Sequence, residues 1–146
     1  MKLKEKRELL FRLLFGQSFH VNQCLDKEEI EVFTKEEKAI SEADKDLVLK
    51  EIMEIKANLP EIDERIDRKV ERWNTKTMAR VELAILRLMV YELFYKKETP
   101  VRVLANDAVR LATSYGQEAS YRFVNGALAK ILEELPNEED NGQSID

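Results

Sequence analysis

Glycine and proline are scarce in this chain, and their scarcity limits the folds that it can adopt. The 146 residues contain only four glycines and three prolines. Sheet proteins need a turn after every few residues, and glycine and proline are the residues that most often form such turns. Long helices joined by short polar loops need far fewer of them. The sequence therefore predicts an all-α fold, and its length suits a single domain with one hydrophobic core.

Apolar spacing and capping residues predict a compact bundle of about seven helices. In order, these are residues 2–15 (ended by Gly16), 26–38 and 44–58, a helix opened by Pro60 with the apolar stripe Ile62, Ile66, Val70 and Trp73, residues 77–95, a helix from Thr99 and Pro100 to Gly116, and residues 119–135. Helix 77–95 is apolar nearly all round, which is typical of the buried centre of a domain. Residues 136–146 are polar and acidic, so we expect a disordered tail after a single domain at residues 1–135.

The sequence lacks the residue patterns of an enzyme, a metal protein or a membrane protein. Cys24 is the only cysteine and His20 the only histidine, so we expect neither an internal disulfide nor a Cys/His metal site. No pairing of a nucleophile with a base and no glycine-rich phosphate loop is visible. The most apolar stretch, residues 81–95, is too short to cross a bilayer, and the charged N-terminus does not resemble a secretory signal. We therefore expect a cytoplasmic binding protein without a catalytic site, cofactor or metal.

The charge of the chain is unevenly distributed. The net charge is -5, which argues against indiscriminate coating of nucleic acid. Residues 1–16, however, hold five basic and two acidic side chains, a local charge of +3. A basic pole on an acidic body can attract a short stretch of phosphate backbone while repelling most other polyanions.

Large apolar side chains occur on two different faces of the first predicted helix. With about 100° of turn per residue, one side gathers leucines that should face the core, namely Leu3, Leu10, Leu13 and Leu14. Lys4, Phe11 and Phe15 lie elsewhere, and Arg7 falls between the two faces. A strip that mixes rings with cations favours a contact surface, for RNA through the cations and for protein through the rings. Alternatively, Phe11 and Phe15 pack against the second helix and the lysines only solubilise the chain; both interpretations remain open.

The seventh predicted helix poses the same question. Its main apolar stripe comprises Tyr121, Val124, Leu128, Ile131, Leu132 and Leu135. Phe123 points about 120° away from that stripe, with Lys130 beside it and Arg122 on the next face. A ring with nearby cations can stack an unpaired base and hold its phosphate. Gly126 weakens the helix, which suggests that something packs closely against that turn. Alternatively, Phe123 fills a gap under the first helix.

Three sequence blocks together resemble the NusB family of bacterial transcription antitermination proteins. They are RLMVYEL from Arg87 with Thr99–Pro100 after it, NDAVRLA from Asn106 with Tyr115–Gly116 after it, and RFVNGAL from Arg122. Their order and spacing match the family over residues 73–135. The first helix, in which Arg7–Glu8 leads into Leu13, Leu14 and Phe15, agrees more loosely.

The resemblance implies an all-helical domain of two perpendicular three-helix groups with no enzymatic activity. It also implies binding to the boxA element of ribosomal RNA leaders, jointly with the ribosomal protein NusE, within the RNA polymerase antitermination complex. The family's RNA-contacting positions fall on Lys2, Lys4, Lys6, Arg7, Arg122 and Phe123. Its NusE-contacting positions fall on Phe15 and Glu82.

This chain departs from the family pattern at several positions. The N-terminal arm of the family is typically a run of arginines, whereas lysines alternate with Leu3 and Glu5 here, so most bidentate phosphate contacts are lost. Arg80 and Arg110 stand where the family usually has an aliphatic and an acidic residue. Either can add to the basic surface or pair with Glu82 or Asp107. A helical protein-interaction or dimerisation module without RNA binding is the alternative function, and a homodimer is possible in either case.

Overall fold

Six α-helices and one π-helical segment form the part of the chain that the computed structural model describes, residues 1–17 and 40–135. They are α1 (Leu3–Gln17), α2 (Glu42–Ala57), α3 (Leu59–Lys69), α4 (Arg80–Val90) continued by the π-helical segment (Tyr91–Lys96), α5 (Val101–Tyr115) and α6 (Glu118–Leu132). The predicted all-α class is confirmed. The predicted helix 26–38, His20, Cys24 and the predicted tail lie outside the described residues. The arrangement in two perpendicular groups stays a prediction.

Local chemistry explains where several helices begin and end. The Ser41 hydroxyl accepts a hydrogen bond from the Asp44 amide at 3.1 Å and so caps the start of α2. The Asn58 side chain donates to the Glu54 carbonyl at 2.8 Å where α2 ends. Pro60 then lies in the first turn of α3, where no amide hydrogen is needed. A single residue, Asn58, therefore separates the two helices.

Helix α4 is the buried centre of the described fold, as the sequence predicted. It packs against α1, α3, α5 and α6. Seven of its eleven side chains are buried, namely Leu83, Ala84, Ile85, Leu86, Leu88, Met89 and Val90. At Tyr91 the helix widens into the π-helical segment, which ends at Lys97 with a left-handed backbone (φ 58°). None of the helices in residues 1–17 and 40–135 is long and apolar enough to span a membrane.

The predicted stripe of the fourth helix is half wrong. Ile62 and Ile66 are buried as predicted, but α3 ends at Lys69 and Val70 already has an extended backbone. Trp73 therefore lies outside the helix with half of its surface exposed. The next helix also begins three residues later than predicted. The Asn74 side chain accepts hydrogen bonds from the amides of Lys76 and Thr77 at 2.9 and 3.1 Å, which holds this connection in a turn.

Candidate nucleic-acid and partner interface

The four cations at the start of α1 divide into two pairs. Lys2 and Lys4 are exposed, whereas Lys6 and Arg7 are 5% and 2% exposed. The sequence analysis had placed all four on an RNA-binding arm. Lys6 and Arg7 do not fit that role, because their charged groups are engaged by carboxylates inside the fold. A buried charge is tolerated only when it is paired, and both side chains satisfy that requirement.

Lys6 joins α1 to α2 and to the end of the π-helical segment. Its Nζ lies 2.7 Å from Oε2 of Glu51, which is 1% exposed. The same oxygen is 3.1 Å from Nζ of Lys96, which also lies 3.6 Å from Glu98. Burial alone lowers the pKa of Lys96, but the hydrogen bond and the charge of Glu51 outweigh it, so its pKa is raised. One buried carboxylate thus holds two ammonium groups from different helices.

Arg7 joins α1 to the π-helical segment and to α5. Its Nε donates to Glu92 at 2.8 Å, Nη1 donates to Asp107, and Nη2 donates to the Thr99 hydroxyl at 3.2 Å. Burial opposes the charged form, yet the hydrogen bonds and charges of Glu92 and Asp107 leave the pKa of Arg7 raised. The guanidinium fork therefore fixes three separate segments around one cation. Sequence spacing carries a signal for this, since Arg7 lies three residues before Leu10 and seven before Leu14, and both leucines are buried.

The two faces of α1 differ from the helical-wheel prediction. Leu3, predicted to face the core, is 61% exposed, and Phe11, predicted outside it, is 1% exposed. The Phe11 ring packs against Tyr115 of α5 with centroids 4.8 Å apart, and against Phe15 at 6.1 Å. The Tyr115 hydroxyl in turn donates to Glu8. Because the Tyr115 ring of α5 packs against Phe11, the side of α1 that carries Phe11 is buried, whereas Phe15 stays partly exposed.

Arg110 reinforces the junction of α1 and α5. Its guanidinium lies 3.2 Å from Glu8 and 3.4 Å from Asp107. Of the two roles left open for Arg110, the structure therefore supports pairing with Asp107, to which it adds Glu8. Arg80 is exposed at the start of α4.

Phe123 lies on α6 between the interior and the surface. It is half-buried and packs against the core, while Arg122 and Lys130 are exposed. Neither of these two cations forms an ion pair with another described residue. Of the predicted stripe, Val124, Leu128 and Ile131 are buried, but Tyr121 is 41% exposed.

Gly126 does not play the packing role predicted for it. A Cβ atom placed there would meet no atom within 4 Å, so no described residue packs against this turn. Gly126 follows Phe123 by three residues and precedes Lys130 by four, so the three positions lie along one strip of the helix. Because Gly126 has no side chain, open space remains on this strip between Phe123 and Lys130.

The two residues predicted to contact a protein partner are each next in sequence to a residue that lines one cleft. Phe15 is 36% exposed at the end of α1, and Glu82 is half-buried in the first turn of α4. Their chain neighbours Leu14 and Leu83 line the same cleft of about 500 Å3. The remaining lining residues are Lys56, Leu59, Thr75, Lys76, Met78, Ala79, Arg80 and Arg87. The cleft thus has an apolar floor and a largely basic rim.

Within the described parts of the chain, no group of three or more His, Cys, Asp or Glu side chains could hold a metal ion. The carboxylates in the interior instead bind cations of the chain itself. Arg87, for example, donates two hydrogen bonds of 2.8 Å to Asp63. The exposed parts of α1 and α6 are instead suited to binding through aromatic rings and cations.

Comparison with known proteins identifies similar sequences and folds. The sequence profile of the NusB family matches residues 4–133. The transcription antitermination protein NusB of Clostridium acetobutylicum is 33% identical over 132 residues, which cover 90% of this chain and 96% of that protein. The structure of T. maritima NusB superposes with a TM-score of 0.81 at 31% identity, covering 97% of this chain and 98% of that one.

A further structure shows the antitermination factors NusB and NusE in complex with double-stranded RNA. It superposes with a TM-score of 0.76 over 90% of this chain and 96% of that one. At 23% identity, this likeness shows the fold alone.

Proposed function

The chain belongs to the NusB family, and we propose that it acts in transcription antitermination by binding boxA-type RNA of ribosomal RNA leaders together with NusE. In this proposal it is a cytoplasmic binding protein of the RNA polymerase antitermination complex and catalyses no reaction. Residues 1–135 form its RNA-binding domain. The similarity to transcription antitermination proteins supports the role in antitermination. The surface of α6 supports RNA binding through a ring and cations.

The observation that carries the proposal is the strip formed by Phe123, Gly126 and Lys130. A half-buried ring is held in place by the core, open space lies at the glycine, and an exposed cation follows one turn later. An unpaired base can stack on the ring while Lys130 and Arg122 contact its phosphates, because stacking needs only a flat apolar face. Lys2 and Lys4 add salt-dependent attraction from α1.

The partner surface in this proposal is the cleft between α1 and α4. Phe15, which is 36% exposed, follows the lining residue Leu14 in sequence, and Glu82 precedes the lining residue Leu83. NusE would bind there, which leaves the Phe123 strip on α6 available for RNA. A protein-interaction module that does not bind RNA would use the same cleft, and RNA binding separates the two functions.

Substituting Phe123 by Ala tests the proposal. Loss of one stacking contact costs about 1 to 3 kcal/mol, so the dissociation constant for a boxA-type RNA should rise about 5- to 150-fold. The measurement is fluorescence anisotropy with a labelled RNA, with and without NusE. Because Phe123 also packs against the core, Phe123→Leu serves as a second variant that keeps apolar contact but removes the ring.

Trp73→Ala is the matched control, since it removes an exposed ring from the connection between α3 and α4. It should leave RNA affinity unchanged. Full RNA affinity in both Phe123 variants, with folding verified by circular dichroism, would contradict base stacking at this position.

A further inference from the structure

The starts of α1 and α5 lie at the same end of the molecule. The contacts between α1 and the segment from Thr99 to the end of α5 advance along both segments together: Arg7 with Thr99 and Asp107, Glu8 with Arg110 and Tyr115, and Phe11 with Tyr115. The helices therefore run in the same direction where they meet. Leu3 precedes Arg7 by one turn and Val103 precedes Asp107 by one turn, so both lie at this end.

This end of the molecule carries unpaired positive charge on both helices. Lys2 and Lys4 are exposed on α1, and Lys97 and Arg102 are exposed on either side of the start of α5. None of these four side chains forms an ion pair with the described residues. The nearest acids are engaged, because Glu5 accepts a hydrogen bond from the Lys2 amide and Glu98 pairs with Lys96. We call this set of four cations the helix-start surface.

Exposed apolar side chains lie at this end of the molecule as well. Leu3 is 61% exposed and Val103 is 43% exposed. An extended apolar and cationic surface on a chain of net charge -5 attracts a polyanion that also presents apolar groups. Single-stranded RNA has both properties, since its bases are unpaired and each nucleotide carries a phosphate.

We propose that Lys97 and Arg102 contact RNA phosphates and extend the RNA-binding surface from the lysines of α1 across the start of α5. This inference rests on the proposed function and adds two contact residues on another helix. The buried Arg7 is the positioning residue, because it holds Thr99 and Asp107 and so sets the start of α5 beside that of α1. The guanidinium of Arg102 suits bidentate phosphate contact, which the lysines of α1 cannot make.

The test is the double variant Lys97→Asn/Arg102→Gln. Asparagine tolerates the left-handed backbone at position 97, and glutamine suits a helix, so the fold should persist. Each lost phosphate contact lowers the slope of log K against log salt by about 0.7 for single strands. With reference to 1 M salt, the two losses together weaken binding of a boxA-type RNA about 25-fold at 0.1 M salt.

Lys50→Gln/Arg72→Gln is the control, because it removes the same charge from exposed positions on α2 and after α3. It should keep the wild-type salt slope. The inference is overturned if the test variant retains the wild-type affinity and slope, or if it loses no more than the control. In that case the proposed function stands, because the wild type still binds RNA.

Two other outcomes also overturn the inference. If the wild type itself does not bind the RNA, the proposed function fails with it. If the test variant binds RNA normally but loses affinity for NusE, the helix-start surface contacts protein instead.

Discussion

Replacing Arg7 by Met removes one cation from two buried carboxylates. Glu92 is 2% and Asp107 8% exposed, and the carboxylate of each accepts a hydrogen bond from the Arg7 guanidinium. Removing one partner of a buried ion pair costs about 3–5 kcal/mol, because the remaining charge is left without compensation. Arg110 still lies 3.4 Å from Asp107, so most of the loss should arise at Glu92. For a domain of this size the loss lowers the melting temperature by about 10 °C.

Urea unfolding followed by circular dichroism measures this change. The triple variant Arg7→Met/Glu92→Gln/Asp107→Asn removes the stranded charges and should recover more than half of the lost free energy of unfolding. Arg7→Lys keeps the charge but not the fork, so its stability should lie between those of the wild type and Arg7→Met. An exposed ion pair contributes at most about 1 kcal/mol. If Arg7→Met lowers the free energy of unfolding by less than that, the claim that this cation joins the three segments is refuted.

Two further predictions concern stability. Gly126→Ala should raise the free energy of unfolding by about 0.5–1 kcal/mol, because alanine favours helix and its Cβ meets no atom within 4 Å; a lower melting temperature would show that the open space is filled in solution. Alkaline pH should destabilise the fold from about pH 10 upward. Burial and a hydrogen bond to Glu54 raise the pKa of Tyr91, and burial with Glu8 raises that of Tyr115, so the folded state holds these protons more tightly than the unfolded state. Urea unfolding at pH 8, 10 and 11 checks this, and constant stability across that range would contradict the assigned contacts.

The repetitive features of the fold could be predicted from the sequence. The all-round apolar pattern of α4 and the stripe of α6 at Val124, Leu128 and Ile131 identified buried helices, because periodicity reports burial directly. Thr99 and Pro100 predicted where α5 begins. The Thr99 hydroxyl, however, accepts a hydrogen bond from Arg7 and does not cap the helix.

The predictions that depended on partners far along the chain were wrong. The helical wheel puts Arg7 between the two faces of α1, and it cannot show the carboxylates that hold Arg7 in the interior, which lie 85 and 100 residues away. Phe11 is buried in the core, and the ring of Tyr115 from α5 packs against it. Whether Trp73 lies on α3 depends on where that helix ends, and apolar spacing alone does not show the end of a helix. Lys2, Lys4 and Arg122 are exposed, as RNA binding requires, and their contact with RNA stays a prediction.

The central claim is that this chain binds RNA through rings and unpaired cations, and a direct titration of the wild-type protein tests it. A labelled boxA-type RNA is titrated at 50 mM and 200 mM salt, with and without NusE. The account predicts binding that weakens as salt rises and strengthens when NusE is present. An absence of RNA binding at 50 mM salt, both with and without NusE, would contradict it.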